Sequence, residues 1–348
     1  MESLKVLVTG GTGFLGSEIV KALVQAKNYE VTAVDINPPA LGTSTFADVR
    51  YVRANILHPE ELAKVFKEAK PAIVIHAVGV YPLGLARYSP KGKEAVFAVN
   101  VEGTKNVIEA AKDCGATGLV YTSSITVLVD EIDADFANAD ETWPTGRAKL
   151  VYGQSKTIAE NLVLAANTTD FLTCSLRPAT IFGPGDPACI PTIHSCIAKM
   201  ESPIILGTGT NLCDFAYVSN VADAHVLAVR NLLNSGTAAG EAIFITNGEP
   251  IAVRDFCLAL WKEFGHIPPF QLRIPEGLAW WLGVIVEGVG WAVGKQGTLS
   301  RGVVRDGTAV RYVSIAKARR LLGYKPRVGM TEALEISCAH YKRQIGGR

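Results

Sequence analysis

The chain has 348 residues, 48% of them hydrophobic, and a formal net charge of +1. That length and apolar content supply the core of one large α/β domain or two moderate ones, and the near-zero charge excludes the basic field of a nucleic-acid binder. Seven cysteines, at 114, 174, 189, 196, 213, 257 and 338, form no CxxC pair, and their odd number excludes a complete disulfide framework; buried thiols in a reducing compartment are expected instead.

The N-terminus, MESLKVLVTGG, reads as a strand running into a glycine turn, and no cleavable secretory signal is expected. The apolar, β-branched run Lys5 to Thr9 leads into GGTGFLG and then into SEIVKALVQA, which has helical periodicity. Strand, glycine loop and helix in that order form a dinucleotide-phosphate site: Gly10 for the tight turn, Gly13 for close approach of a pyrophosphate, Gly16 for close packing of helix on strand. The N–H groups at the helix start attract phosphate. The cofactor-binding set here is Gly10, Gly13, Phe14, Leu15 and Gly16. A second strand, VTAVDI, delivers Asp35, whose carboxylate accepts from both hydroxyls of an adenosine ribose and repels a 2′-phosphate. NAD is therefore expected over NADP.

The same rhythm continues. YVRANI (51–56) is a short strand, PEELAKVFKEAK a helix, and PAIVIHAVG (71–79) a continuous apolar strand buried on both faces of a parallel sheet. VEGTKNVIEAAKDCG is a helix with a glycine stop, and GLVYTSSITVL a buried strand ending in hydroxyls. Ligands of such sheets bind at the carboxyl ends of the strands, where Ser123 and Ser124 arrive. The next helix begins VYGQSKTIAE, with Tyr152 and Lys156 four positions apart on one face. A phenol with an ordinary pKa near ~10 is a poor base at neutral pH, and an adjacent ammonium lowers that value. With Ser124 holding a substrate oxygen, the set suits hydride chemistry, in which a proton leaves oxygen as hydride leaves carbon.

These words together resemble the extended short-chain dehydrogenases/reductases, and within them the 3β-hydroxysteroid dehydrogenase group and its decarboxylating sterol-4α-carboxylate 3-dehydrogenases. VTGGTGFLG, NVEGTKNVIEAA, VYTSSITV, YGQSK, LRPATIFGPGD, DFAYVSNVADAHVLA and IFITNGEPI carry the resemblance over residues 6 to 251, and RYVSIAKARRLLGYKPRVGMTEAL extends it. It implies an α/β fold, a Rossmann-like doubly wound parallel sheet over residues 1–180 with 214–247 returning to it. A smaller substrate-binding lobe is implied over 181–213 and 248–348. By position it makes Tyr152 the proton acceptor, Lys156 its partner and Ser124 the catalytic hydroxyl, with Ser123 as the alternative. It places Ala77 and Val78 where strand-end backbone borders the cofactor, Asn100 near the cofactor ribose, and Pro178 against the nicotinamide end. Asn55-Ile56 stands where the family often has Asp-Ile beside the adenine amino group; an amide oxygen can still accept there.

Other residues read more plainly. His76 reads first as a buried histidine satisfied by backbone, and no His or Cys spacing marks a metal site. Arg177 reads as a structural partner of carboxylates, Asp214 as a loop anchor, and GPGDP (183–187) as a turn. The segment GLAWWLGVIVEGVGWAV (277–293) holds three of the five tryptophans and a single charge, Glu287, in a chain of mean hydropathy +0.21. Its apolar residues fall at helix spacing, so it is expected to lie in a membrane interface or cover a hydrophobic pocket, with a core or dimer contact as the alternative. Lys295, Arg301, Arg305 and Arg311 follow and suit anionic headgroups. The expected substrate is a lipophilic sterol-like or terpenoid alcohol. The expected protein is a homodimer without nucleic-acid or metal partners, intracellular, in the cytoplasm or peripherally on the endoplasmic reticulum membrane. Rival readings are a nucleotide-sugar epimerase or reductase, a secondary-metabolite ketoreductase, and an NAD-sensing binding protein.

Overall fold

The computed structural model describes residues 3–39, 45–129, 135–293 and 299–346, with backbone only for 129 and 291–293. Seven strands form one parallel sheet: β1 (Leu4–Thr9), β2 (Tyr29–Asp35), β3 (Val49–Arg53), β4 (Ile73–His76), β5 (Gly118–Thr122), β6 (Leu172–Pro178) and β7 (Ala242–Ile245). Their order is β7-β6-β5-β4-β1-β2-β3. β1 pairs in parallel with β2 on one side and with β4 on the other, so the winding reverses between β1 and β4 and opens a crevice at their carboxyl ends. The central strands are apolar without alternation because helices cover both faces.

One face is covered by α1 (Phe14–Gln25) and by α6 (Val218–Asn234), through Ile19, Leu23, Val221 and Val229. The other is covered by α2 (Pro59–Ala69), α3 (Gly103–Asp113) and α4 (Val151–Ala165), through Leu62, Phe66, Val107, Ala159 and Val163. The run GLVYTSSITVL is not strand throughout. β5 stops at Thr122, Ser124 Oγ accepts from Thr126 N at 3.2 Å, and the chain turns into a short helix at Thr126–Val129. That turn leaves both serines at the rim of the crevice.

The lobe has its own aromatic core, in which Phe215 and Phe256 stack with ring centroids 3.8 Å apart and Phe182 packs edge-on to Phe256. Its helices include α5 (Cys189–Ala198), α7 (Val253–Glu263), α8 (Glu276–Val293) and α9 (Arg301–Thr308), and a C-terminal helix, Met330–Gly346, packs on the same core. A small sheet joins Ile251–Ala252, Leu212–Cys213, Arg311–Val313 and Phe136–Ala139 beside it. The return of 214–247 to the large sheet is visible in β7, which pairs with β6. The segment 248–348 is not lobe throughout. Ile315, Ala318, Leu322 and Tyr324 pack into the main core beneath α6, and Tyr324 donates to Thr246 O at 3.0 Å.

Candidate active site

The glycine loop is built by exclusion. Gly10 has φ +76°, and a Cβ there would lie 3.1 Å from both Ala77 C and Val78 N at the end of β4. A Cβ on Gly16 would lie 1.9 Å from Gly10 O, so the close approach it permits is of α1 to the loop backbone rather than to the strand. α1 starts after Gly13 with no side-chain cap, which leaves its first N–H groups for an anion. At the end of β2, Asp35 accepts from Thr12 N at 3.3 Å and Asn37 N at 3.1 Å, a fixed carboxylate on the crevice rim. Asn55 Oδ1 accepts from Leu57 N at 3.0 Å, so one lone pair of that amide closes a turn.

Asn100 departs from expectation. It does not line the cleft. Its Oδ1 accepts from Val80 N at 2.7 Å, and its Nδ2 donates to Val80 O at 3.0 Å and Ser155 Oγ at 2.9 Å. Engaged and buried, it pins the loop after β4 to α4. His76 is likewise satisfied: Nδ1 lies 2.7 Å from Thr9 Oγ1 and Nε2 3.0 Å from Thr104 Oγ1. Burial, and then the charge of Lys156, push its pKa down to about 3, so it is neutral.

The residues expected to react lie where β5 faces α4. Lys156 Nζ donates to Thr122 O at 2.8 Å and to Tyr121 OH at 3.2 Å, and sits 4.8 Å from the centre of the Tyr121 ring. Burial lowers its pKa to about 7, against the opposing pull of the Glu160 carboxylate. Tyr152 lies one turn earlier, and its ring meets Tyr81 edge-on at 4.8 Å. Ser123 Oγ is buried on the cleft wall with no partner among the described residues, and Ser124 lines the same wall. Behind Lys156, Arg177 on β6 grips Glu160: Nη2 donates at 2.6 Å, and Nε donates to the two carboxylate oxygens at 3.1 and 3.0 Å. Ser175 Oγ donates to the same carboxylate at 2.8 Å. Arg177 is thus the structural partner of a carboxylate, and Glu160 is a residue the sequence reading passed over.

One continuous cleft of about 1350 Å³ runs from the glycine loop over Ser124, Tyr152 and Lys156 into the lobe. Gly10, Gly13, Phe14, Leu15, Gly16, Asp35, Asn55, Ile56, Ala77, Val78 and Pro178 all line it. Its far walls use residues with no local signature: Tyr81, Leu83 and Tyr88 after β4, Ile193 on α5, Val303 and Asp306 on α9. Asp306 accepts from Arg87 Nε at 3.1 Å, Tyr88 OH at 2.6 Å and Arg311 Nη1 at 2.6 Å. Asp214 accepts from Val313 N at 2.8 Å, which ties the small sheet together.

α8 turns its apolar stripe outward. Trp281 is 63% exposed, Ile285 59%, Val289 56% and Leu278 55%. Its two carboxylates point to α9, Glu287 to Arg301 and Glu276 to Arg305. Those arginines are therefore engaged within the protein rather than presented as a basic face, and Lys295 lies outside the described residues. Among the described residues no helix is long and apolar enough to cross a membrane, and no group of three or more His, Cys, Asp or Glu could hold a metal ion.

The cradle at Gly10 and Gly16, the uncapped start of α1 and the unpartnered Ser123 hydroxyl fit a dinucleotide. Residues 7–276 match the model of the 3-beta hydroxysteroid dehydrogenase/isomerase family. The chain is 36% identical to the decarboxylating sterol-4-alpha-carboxylate 3-dehydrogenase of Saccharomyces cerevisiae over 96% of this chain and 97% of that one. It is 31% identical to the enzyme of that name from Homo sapiens, over 98% and 89%. In fold it is similar to the Thermus thermophilus UDP-glucose 4-epimerase solved with NAD, with a TM-score of 0.73 at 24% identity over 97% and 99% of the two chains.

Proposed function

The chain belongs to the 3-beta hydroxysteroid dehydrogenase/isomerase family, and on that footing we propose that it uses NAD to oxidise a ring 3β-hydroxyl on a sterol-like or terpenoid substrate. Where a carboxylate sits on the adjacent carbon, the product is a β-keto acid. Its carbon–carbon bond breaks to release carbon dioxide, the electron pair forms an enol, and a proton returns to carbon. The observation that carries this reading is a buried, hydrogen-bonded Lys156 one helical turn from Tyr152, on the wall of a cleft that begins at a dinucleotide-fitting loop.

The roles follow from the geometry. When bound, the nicotinamide supplies the hydride acceptor. Tyr152 takes the hydroxyl proton, and the Lys156 ammonium favours the phenolate that must exist first. Ser124 orients the substrate oxygen, with Ser123 as the alternative. Asp35 is read as the group that accepts from a ribose hydroxyl and repels a 2′-phosphate, which favours NAD over NADP. The nucleotide-sugar alternative needs free cations in the lobe, and Arg301, Arg305 and Arg311 are each engaged by a carboxylate.

The exposed stripe of α8 supports a peripheral seat on a membrane such as that of the endoplasmic reticulum, where a lipophilic substrate resides. A homodimer is the other occupant that would cover it. Purified protein incubated with NAD and a 4α-carboxysterol should yield NADH and carbon dioxide together. No NADH across a panel of lipophilic 3-hydroxy substrates removes the reading, and NADH without carbon dioxide removes its decarboxylating half.

A further inference from the structure

We propose that Glu160, fixed by Arg177 and Ser175, is a positioning residue that keeps the Lys156 side chain charged behind Tyr152. The inference rests on the reading of Tyr152 and Lys156 as the proton-transfer pair. Tyr152, Lys156 and Glu160 stand at i, i+4 and i+8 of α4, one stripe facing β5 and β6. Glu160 is 1% exposed and Arg177 4%, so the pair is almost entirely out of water.

An apolar pair of similar volume would hold α4 to β6 at least as well, because the desolvation of two buried charges offsets most of their attraction. The pair therefore needs a use beyond adhesion, and its surroundings supply one. Lys156 is faced by the Tyr121 phenol and the Thr122 carbonyl from β5, the neutral His76 from β4, the Gly79 backbone, and Tyr152 and Glu160 from its own helix. Glu160 is the one carboxylate in that set. Burial favours loss of the lysine proton, and Glu160 is the group that opposes it. Arg177 and Ser175 hold that carboxylate in one orientation by donating to both of its oxygens.

The test reads the lysine directly. Protein labelled with carbon-13 at lysine Cε is titrated by NMR, and the Lys156 resonance is the one missing from Lys156→Met. Its midpoint should fall by about one pH unit in Glu160→Gln, as expected for loss of a nearby opposite charge. The double variant Glu160→Met with Arg177→Met leaves no lone buried charge and should show a smaller shift of the same sign, because the opposing Arg177 charge is lost as well, so it decides the matter if the single variant does not fold. The alkaline limb of kcat/KM for NAD-linked oxidation should move with it. A Lys156 midpoint unchanged in the double variant overturns the proposal and leaves the pair as a structural clamp. A shifted midpoint in a protein inactive on every sterol alcohol supports the role of Glu160 and rejects the substrate reading instead.

Discussion

Helices α4 and α8 break the ordinary rule of burial in opposite directions. α4 buries Ser155, Lys156, Thr157 and Glu160, residue types that a soluble helix normally turns to water. α8 turns Leu278, Trp281, Leu282, Ile285 and Val289 outward, although covering each would gain roughly 1.5–3 kcal/mol. The two cases differ in what compensates. In α4 every charge has partners inside the fold, so the cost is met locally and the groups are held in one geometry. In α8 the stripe has no cover among the described residues. Buried charge marks chemistry, and unburied apolar surface marks contact.

The comparison is broken most sharply at Tyr152. Tyr152→Phe should cost turnover about 100- to 10,000-fold, the usual worth of a positioned acid–base group, with NAD affinity retained in a calorimetric titration. Intact turnover would mean that the α4 stripe is structural and that only an NAD-binding protein remains. A smaller effect is expected from pH. Lys156 binds its proton less tightly in the fold than in the unfolded chain. Between about pH 7 and the ordinary lysine value near ~10.4 the unfolded state therefore carries more protons, and stability rises with pH. The penalty for burying the ammonium is complete below that window and relieved across it, while turnover falls over the same range. Lys156→Met should flatten that slope in melting curves and raise the melting temperature at pH 7. The smallest effect on the fold belongs to α8: Trp281→Glu with Ile285→Glu should change stability by only about 0.5 kcal/mol per site. The same variant should abolish flotation with phosphatidylcholine liposomes and leave turnover of a detergent-dispersed substrate intact. If it instead converts a dimer to a monomer by sedimentation, the stripe is a subunit contact.

Features encoded by short spacing were legible in the sequence: the strand, glycine loop and helix around Gly10 to Gly16, Asp35 at a strand end, and Tyr152 with Lys156 on one turn. Features created by the sheet order were not. Glu160 and Arg177 meet only because β6 lies beside α4, and nothing in YGQSKTIAE or LRPATIF signals that pairing. Asn100 has the residue type of a cofactor ligand, yet its amide is consumed by Val80 and Ser155, 20 and 55 positions away. The return of Ile315 to Tyr324 to the main core was hidden for the same reason: a short apolar helix looks alike in either domain. α8 showed its periodicity plainly, but periodicity does not reveal which way a stripe points.

The joint between α8 and α9 has a consequence of its own. Gly283 lets α8 close on the backbone at Ser300 and Arg301, since a Cβ there would lie 2.9 Å from Arg301 N. α9 in turn contributes Val303, Asp306 and Gly307 to the cleft wall. Were a leaflet to meet the stripe, α8 and α9 would both lie between it and the chamber. A solute partitioned into that leaflet would arrive by lateral diffusion, and the variable controlling flux would be its mole fraction among lipids rather than its total concentration in the aqueous phase.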